Sequence, residues 1–431
     1  MLITNATLAD DRTLDIRIDG ERIAAVGSLE GEPDIDATGK LLLPGAIDAH
    51  VHFREPGFPH KETWASGSRS AAAGGVTTVV DQPNTDPPTI DGTSFDEKAE
   101  LARNSSVDYG INGGVTPDWN PEELFSRSLF ALGEVFLADS TGEMGIEKEL
   151  FERAVERATQ ENVVVTVHAE DATLFDERAL KGAGEGTGRE ADADAWSAFR
   201  TADAEERAVE LACAVAETVG AALHIAHAST PEGIDAAAGG GATCEVCPHH
   251  LFLSRDDLNG LGTYGRMNPP LRSEERRTAV AERVRNGTVD IVATDHAPHT
   301  REEKEASVRE APSGVPGVET MVPLLLAAAE RGELTRERVR DLVAANPAQI
   351  FDLPQKGRVE DGMDADLVLY DPERIEEIRG ENLHSKAGWT PFEGFEGIFP
   401  EWTMVRGTVV YDRNRADGER FGEAVGRNVR R

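Results

Sequence analysis

Eight short apolar runs, separated by longer segments with a helical pattern, constrain the fold of this 431-residue chain more than any other feature. Short apolar runs that alternate with helical segments, without hairpin turns, predict parallel strands joined by helices. Eight such units predict a TIM barrel, the (β/α)8 fold. The runs are AIDAHVH (46–52), VTTVVDQ (76–82), YGINGGV (109–115), GEVFLA (133–138), VVVTVHA (163–169), ALHIAHA (222–228), TCEVCPH (243–249) and DIVATDH (290–296).

The alternative to a barrel is an open, doubly wound α/β sheet. Such a sheet gathers its functional residues at one switch point in the strand order. In this chain, residues that can bind metals or take part in catalysis follow nearly every strand, which favours the barrel.

The two ends of the chain have a different pattern. Residues 1–44 and 355–431 contain short alternating strands separated by turn residues, as in LDIRIDGERIAAVG and TMVRGTVVYD. Neither flank has enough apolar surface to form a core by itself. We therefore predict that the flanks pair into one small β-sandwich beside a barrel formed by residues 45–354.

The chain is strongly acidic, with 79 Asp and Glu against 44 Lys and Arg and a formal net charge of −35. This charge repels phosphates and argues against a nucleic-acid partner. Acidic residues are spread over the whole chain and lysine is scarce, a pattern that resembles proteins of halophilic organisms. Three cysteines do not make a disulfide framework, and no apolar run could span a bilayer, so a cytoplasmic protein without a membrane partner is expected.

Residues that bind metal ions stand at or near the carboxyl ends of five predicted strands. In a barrel these ends meet on one face, and imidazole and carboxylate ligands suit zinc. Six ligands are enough for two metal ions that share a bridge, so two zinc ions per chain are expected. The candidate ligands are His50, His52, Glu134, His168, His227 and Asp295, with Asp139 as an alternative to Glu134.

This ligand set predicts hydrolysis. Two neighbouring metal ions hold a hydroxide at neutral pH, and that hydroxide can attack a carbonyl. One carboxylate must then take the proton and pass it to the leaving nitrogen, and Asp295 is the predicted shuttle. Arg54, two residues after His52, could project into the same space and hold an anion.

The segment CEVCPHH (244–250) has the residue types of a zinc motif. A zinc knuckle needs a tight turn between its cysteines, whereas Cys244 and Cys247 lie in a predicted strand, where residues three apart face opposite sides. We therefore predict that His249 and His250 support the metal site structurally and do not bind metal.

Seven motifs together resemble the amidohydrolase superfamily and, within it, the class I dihydroorotases: DAHVHFREPG, DQPNT, VHAED, IAHAST, EVCPHHL, MNPPLR and ATDHAPH. The resemblance covers essentially the full length. It implies reversible hydrolysis of L-dihydroorotate to N-carbamoyl-L-aspartate in pyrimidine (UMP) biosynthesis. It also implies a homo-oligomer, since relatives are often dimers or larger.

The resemblance further implies which residues contact the substrate. Dihydroorotate carries a carboxylate that hydantoin and allantoin lack, so Arg54 favours a dihydroorotase over the alternative hydantoinase or allantoinase. The other implied contacts are His52, Asn84, Asn268, His299 and the backbone near Gly314, Pro316 and Gly317.

The chain departs from the family pattern at the residue expected to bridge the two metals. Many relatives use a carboxylated lysine on the fourth strand, but the matching position here holds Glu134, which is predicted to bridge directly. A third hypothesis is a catalytically inactive barrel that serves as an assembly partner. Such a protein would be expected to lose metal ligands, and the ligands are present.

Overall fold

The structure is a computed structural model that describes residues 1–140, 144–183, 189–415 and 420–430. The strands are β1 Leu2–Thr7, β2 Thr13–Asp19, β3 Arg22–Gly27, β4 Ile35–Asp36, β5 Leu41–Pro44, β6 Ala46–Val51, β7 Val76–Asp81, β8 Asp108–Ile111, β9 Leu132–Phe136, β10 Val165–His168, β11 Leu223–Ile225, β12 Thr243–Val246, β13 Ile291–Val292, β14 Leu367–Tyr370, β15 Glu376–Glu377, β16 Glu396–Gly397, β17 Pro400–Val405 and β18 Thr408–Asp412.

The α-helices lie mostly between the strands of the central part of the chain. They are α1 Trp64–Ala73, α2 Gly92–Ala102, α3 Pro121–Phe125, α4 Lys148–Gln160, α5 Ala193–Phe199, α6 Ala202–Val219, α7 Pro231–Gly239, α8 Pro248–Phe252, α9 Leu258–Leu261, α10 Glu274–Asn286, α11 Arg301–Lys304, α12 Met321–Glu330, α13 Arg336–Arg340 and α14 Asn346–Ile350. No helix in the described ranges is both long and apolar enough to cross a membrane.

Eight parallel strands, β6 to β13, form a closed barrel. Strands β6 to β8 pair in one sheet and β9 to β13 in another. Single parallel bridges close both gaps, since Gly113 pairs with Leu132 and Val51 pairs with His296. The predicted TIM barrel is thereby confirmed, because an open sheet would leave two unpaired edges.

The barrel strands are apolar because both of their faces are covered. Every residue of β6 and of β7 is buried. Helix α6 illustrates the outer layer: Thr201 caps its first turn by accepting the amide of Ala204, and Gly220 ends it in a left-handed conformation at φ 68°. Ala208 and Ala212 lie on the buried face of this helix.

The predicted strands are all shorter than the sequence pattern indicated, and the eighth covers only Ile291–Val292. The seventh strand ends at Val246, because Pro248 lacks an amide proton and begins α8. His249 therefore lies on a helix, and its assignment to the seventh strand was wrong. The segment PEELFSRSLFAL (121–132) has a helical pattern in the sequence, but only Pro121–Phe125 is helical.

Strands from both ends of the chain join in one eight-stranded sheet. Its order is β18-β17-β14-β5-β1-β2-β3, with β4 paired to β1. Strand β5 from the N-terminal flank runs antiparallel to β14 from the C-terminal flank, where Leu42 opposes Leu369. Ile3, Leu42 and Met404 belong to one apolar cluster of this sheet. The predicted pairing of the flanks is confirmed, and the division of the chain at residues 44 and 355 stays a prediction.

Candidate active site

The six predicted metal ligands converge at the carboxyl ends of the barrel strands. All six side chains are more than nine-tenths buried. His50 lies near the end of β6 with His52 just beyond it, Glu134 lies on β9, His168 ends β10, and His227 and Asp295 follow β11 and β13.

The carboxylate of Glu134 lies among three imidazoles. Its Oε1 is 2.5 Å from His227 Nε2 and 3.1 Å from His168 Nδ1, and its Oε2 is 3.4 Å from His50 Nε2. Burial acts to raise the pKa of Glu134, but the imidazoles outweigh burial and hold the pKa well below its ordinary value. Glu134 is therefore ionised, and its two oxygens face different histidines.

The backbone around Glu134 is fixed by close packing between strands. Gly133 has φ 144°, and a Cβ there would lie 2.0 Å from Thr166 Oγ1. A side chain at this position would push β9 away from β10. The amide of Glu134 donates to Gln82 Oε1 at 2.9 Å, and Asn112 donates to the same oxygen at 3.1 Å.

The carboxylate of Asp295 faces the first two histidines. Its Oδ1 is 2.9 Å from His52 Nε2 and 3.6 Å from His50 Nε2. Burial acts to raise the pKa of Asp295, yet the hydrogen bond with His52 and the charge of His50 hold it below its ordinary value. His52 Nδ1 is 2.7 Å from Asn84 Oδ1, which fixes the imidazole with Nε2 toward Asp295.

Three residues of this region have left-handed backbone conformations that non-glycine residues rarely adopt. Arg54, His227 and Asp295 have φ values of 65°, 36° and 46°. Such conformations cost about 1–3 kcal/mol each and persist only where the surrounding structure imposes them. This strain is typical of a site in which function outweighs local stability.

The donor atoms fit divalent metal ions. His50, His52 and Asp295 form one group, and His50, Glu134 and His227 form another, with the ligand atoms of each group within 4.8 Å of one another. His50 Nε2 and His227 Nδ1 are buried without a hydrogen-bond partner. Buried nitrogens are rarely left unpaired, and a cation would pair His50 Nε2, which faces both carboxylates.

Glu245 on β12, which the sequence analysis missed, orients His50. Its Oε1 is 2.6 Å from His50 Nδ1, and its Oε2 is 3.1 Å from His224 Nε2. Because Nδ1 of His50 is held in this way, Nε2 faces the other ligands. The signal in the sequence was a single charged residue within the buried strand segment TCEV.

Glu170, which the sequence analysis also missed, orients His168. Its Oε2 is 2.9 Å from His168 Nε2, so Nδ1 of that imidazole points toward Glu134. Arg200 pairs with the same carboxylate, with Nη2 2.6 Å from Oε2. A glutamate two residues after a candidate ligand was the available signal, but nothing in the sequence pointed to Arg200.

A pocket opens beside these ligands. Of the predicted substrate contacts, His52, Arg54, Asn84, Asn268 and Gly314 line it. Four further lining residues were not predicted, because their residue types carry no chemical signal in the sequence. The complete lining is His52, Arg54, Asn84, Glu134, Phe136, Ser140, His227, Asn268, Asp295, Ala297, Ser313 and Gly314.

Arg54 is a buried cation in this pocket. Burial lowers its pKa to about 10, so the guanidinium stays charged at neutral pH. Nη2 lies 3.2 Å from His299 Nε2, and Nε donates to the carbonyl of Pro298 at 3.3 Å. Across the described part of the chain, its polar side-chain contacts are these two and no carboxylate lies within ion-pair distance of it. A buried, charged guanidinium with no carboxylate in direct contact is suited to binding an anion.

The remaining predicted residues occupy other positions. His299 lies behind Arg54, while Pro316 is buried and Gly317 donates its amide to His296 Nδ1 at 3.1 Å. Their roles at the substrate stay predictions.

Asp139, the alternative bridge, is exposed, and its Oδ1 accepts the amide of Gly145 at 2.7 Å. Glu134, by contrast, lies within 3.4 Å of three imidazoles. This geometry favours Glu134, and the choice between the two carboxylates stays a prediction.

Comparison with known proteins gives consistent similarities. A model of the amidohydrolase family matches residues 41–410. A dihydroorotase of Halobacterium salinarum is 63% identical over 432 residues, covering 100% of this chain and 99% of that protein. An allantoinase of Rubrobacter xylanophilus is 36% identical over 418 residues, covering 93% and 91%. The solved L-hydantoinase (dihydropyrimidinase) from Arthrobacter aurescens has a TM-score of 0.91 and 28% identity, covering 99% of this chain and 98% of that one.

Proposed function

Since the chain belongs to the amidohydrolase family, we propose that it is a dihydroorotase that interconverts L-dihydroorotate and N-carbamoyl-L-aspartate. The choice of dihydroorotate as the substrate rests on Arg54. This buried cation lies in the pocket beside the metal ligands and has no carboxylate partner. The reaction belongs to pyrimidine biosynthesis. A cytoplasmic location and a homo-oligomer stay predictions.

Arg54 distinguishes this substrate from other cyclic amides. A guanidinium can hold a carboxylate by two parallel hydrogen bonds, and dihydroorotate offers a carboxylate on its ring. Hydantoin and allantoin have no carboxylate, so their binding would leave a buried charge unpaired. An unpaired buried charge costs several kcal/mol, which argues against the hydantoinase and allantoinase alternatives.

Asn268 is positioned to contact the ring. Its Oδ1 accepts the indole N–H of Trp196 at 2.8 Å, and its Nδ2 lies 3.2 Å from Ser140 Oγ. The amide is therefore fixed in one orientation at the edge of the pocket. Gly314 and Ser313 form another part of the lining.

Two zinc ions are the proposed cofactors, held by His50, His52, Glu134, His168, His227 and Asp295 with Glu134 as the bridge. When bound, such ions polarise the scissile carbonyl and supply a nucleophile at neutral pH. Glu170 and Glu245 keep His168 and His50 in the orientations that this role requires.

Asp295 moves the proton. Its lowered pKa means that the carboxylate is ionised at neutral pH and can accept a proton as the amide is attacked. It then gives the proton to the leaving ring nitrogen, and in ring closure it takes that proton back. His52 Nε2 lies 2.9 Å from Oδ1, so the imidazole and the carboxylate face the same point.

The test compares substrates in steady-state kinetics of the full-length protein in high salt. The panel is dihydroorotate, dihydrouracil (the same ring without the carboxylate), hydantoin and allantoin. We expect turnover of dihydroorotate above the others. Arg54→Met should lower kcat/KM for dihydroorotate by about a hundredfold or more, because the carboxylate loses a charged, two-point contact.

Metal content measured on the same samples controls for damage to the metal ligands, and it should not change in Arg54→Met. Faster hydrolysis of hydantoin or allantoin by the native protein would contradict the proposal. So would an Arg54→Met variant that retains full kcat/KM for dihydroorotate.

A further inference from the structure

A third group of metal-binding side chains lies just beyond β12, outside the proposed catalytic ligands. Cys247 is the N-cap of α8, and His249 and His250 lie on the first turn of that helix. The thiol and one ring nitrogen of each histidine lie within 4.8 Å of one another. The three residues are 0%, 1% and 3% exposed.

Pro248 creates this arrangement. The proline begins α8 directly after Cys247, so the chain turns into a helix at the point where the strand ends. Cys247 keeps an extended conformation as the N-cap and the two histidines lie on the first turn, and in this arrangement the three side chains come together. In an extended strand, they would point to both faces of the sheet.

Two ring nitrogens of this group have no partner. His249 Nε2 and His250 Nδ1 are buried and make no hydrogen bond. His250 Nε2 lies 2.9 Å from the carbonyl of Pro269 and can only donate to it, so Nδ1 carries a free lone pair. Buried polar atoms without partners are rare in proteins, and a bound ion is one explanation for them.

We propose that Cys247, His249 and His250 bind a thiophilic divalent cation of the zinc type, at a site separate from the catalytic ligands. A cysteine sulfur and two imidazole nitrogens form a typical donor set for such an ion. The Cys247 S–H bond breaks on binding, the sulfur–metal bond forms, and the proton passes to solvent.

The surroundings of the site suit a cation. The carboxylates of Asp295 and Glu245 act on the Cys247 thiol through their negative charges. The same charges attract a cation.

This proposal revises the role predicted for His249 and His250. The rejected zinc motif joined Cys244 to Cys247, and Cys244 is not part of the cluster, so that rejection is compatible with the new site. The ligands are instead Cys247 and the two histidines that follow Pro248.

Cobalt substitution tests the site. The full-length protein, freed of metal and refilled with Co2+ in high salt, should show a near-ultraviolet thiolate-to-cobalt charge-transfer band. The proposed catalytic ligands include no sulfur, so the band reports only on this cluster. Cys247→Ser should abolish the band and bind about one cobalt ion fewer per chain. Cys244→Ser, a buried cysteine three residues earlier, is the matched control and should retain the band.

His250→Asn keeps the thiol and should also weaken the band, which covers the case in which Cys247→Ser fails to fold. The absence of a charge-transfer band in the native protein would overturn the inference, as would a band that persists in Cys247→Ser. Dihydroorotate turnover, measured separately on the native zinc protein, tests the proposed function, so the two ideas can fail independently.

Discussion

Glu134 has a short side chain, and its carboxylate must reach three histidines on other parts of the barrel. The absence of a side chain at Gly133 lets β9 approach β10 closely, and Gln82 fixes the Glu134 amide. The carboxylate then lies within reach of His50, His168 and His227. The carboxylate can face all three imidazoles because the backbone is held in place around it.

Glu134→Gln should lower the metal content from about two ions per chain to one or fewer, since a neutral amide cannot bridge two cations. Activity toward dihydroorotate should fall by at least about a hundredfold. Metal analysis and steady-state kinetics on the same samples measure both effects. Asp139→Asn is the matched control and should retain metal and activity. The opposite result, with loss only in Asp139→Asn, would transfer the bridge to Asp139.

Helix α11 and the loop after it form an element held by one buried lysine. Lys304 Nζ donates to the carbonyls of Arg266, Pro312 and Gly314 at 3.0, 2.9 and 3.1 Å. Gly314 has φ 131°, and a Cβ there would lie 2.5 Å from the carbonyl of Ala297. Lys304 thus joins the segment before Asn268 to the loop that contains Gly314. Asn268 and Gly314 both line the pocket.

Lys304→Met should raise KM for dihydroorotate by about tenfold, because three carbonyls lose their donor and two parts of the pocket lining separate. The metal ligands do not touch Lys304, so metal content should not change. Lys181→Met, at an exposed lysine, is the control. An unchanged KM in Lys304→Met would show that other contacts hold the loop.

The barrel and the flanking sheet are joined by buried ion pairs. Lys356 Nζ is 2.9 Å from Asp108 Oδ2, at the start of β8, and 2.5 Å from Asp366 Oδ2, just before β14. Arg406 also pairs with Asp108. Burial acts to raise the pKa of Asp108, but Lys356 and Arg406 outweigh it and lower the pKa. The Asp108 carboxylate therefore depends on these cations, whereas burial raises the pKa of Asp366 despite the nearby Lys356.

Lys356→Met should lower the free energy of unfolding by about 3–5 kcal/mol, since removing one partner leaves buried carboxylates unpaired. Because the folded pKa of Asp108 is lowered, its contribution is present above the unfolded pKa of about 3.9 and is lost in stronger acid. The deficit of the variant should therefore shrink as the pH falls below about 4.

Denaturant titrations at neutral and acidic pH measure the Lys356→Met deficit. Lys148→Met is the control, because Lys148 forms an exposed pair with Glu152 that is worth under about 1 kcal/mol. A deficit no larger than that of Lys148→Met would contradict the role of this junction.

At the scale of the whole molecule, net charge dominates the response to salt. The chain has 35 more acidic than basic residues, so repulsion among carboxylates remains after every cation is paired. Salt weakens the surface ion pairs as well, but each is worth under about 1 kcal/mol. Screening of the excess negative charge is therefore expected to decide the sign of the effect.

Thermal unfolding in potassium chloride from about 0.1 to 1 M should show a rising Tm, because the screening length falls from about 10 to 3 Å over this range. Sucrose at matched osmolarity is the control, since it lacks ions. A Tm that falls or stays constant with chloride would contradict the prediction, and it would mean that the ion pairs outweigh the repulsion.

The sequence by itself determined the barrel, the shared sheet of the flanks and the six candidate ligands. These follow from local properties: apolar runs mark buried strands, helical segments between them make the strands parallel, and the ends of parallel strands meet. The His50 and His52 pair and Asp295 could be identified because each lies at the end of such a run.

Only the tertiary structure decided which nitrogen of each histidine faces the centre. Glu245 is 195 residues from the His50 that it orients, and Arg200 reaches Glu170 from a position between α5 and α6. The Cys247 cluster likewise depends on the end of β12 at Val246, which the strand prediction placed three residues too late. Contacts of this kind depend on strand register and the path of loops, and the local pattern of residues does not contain that information.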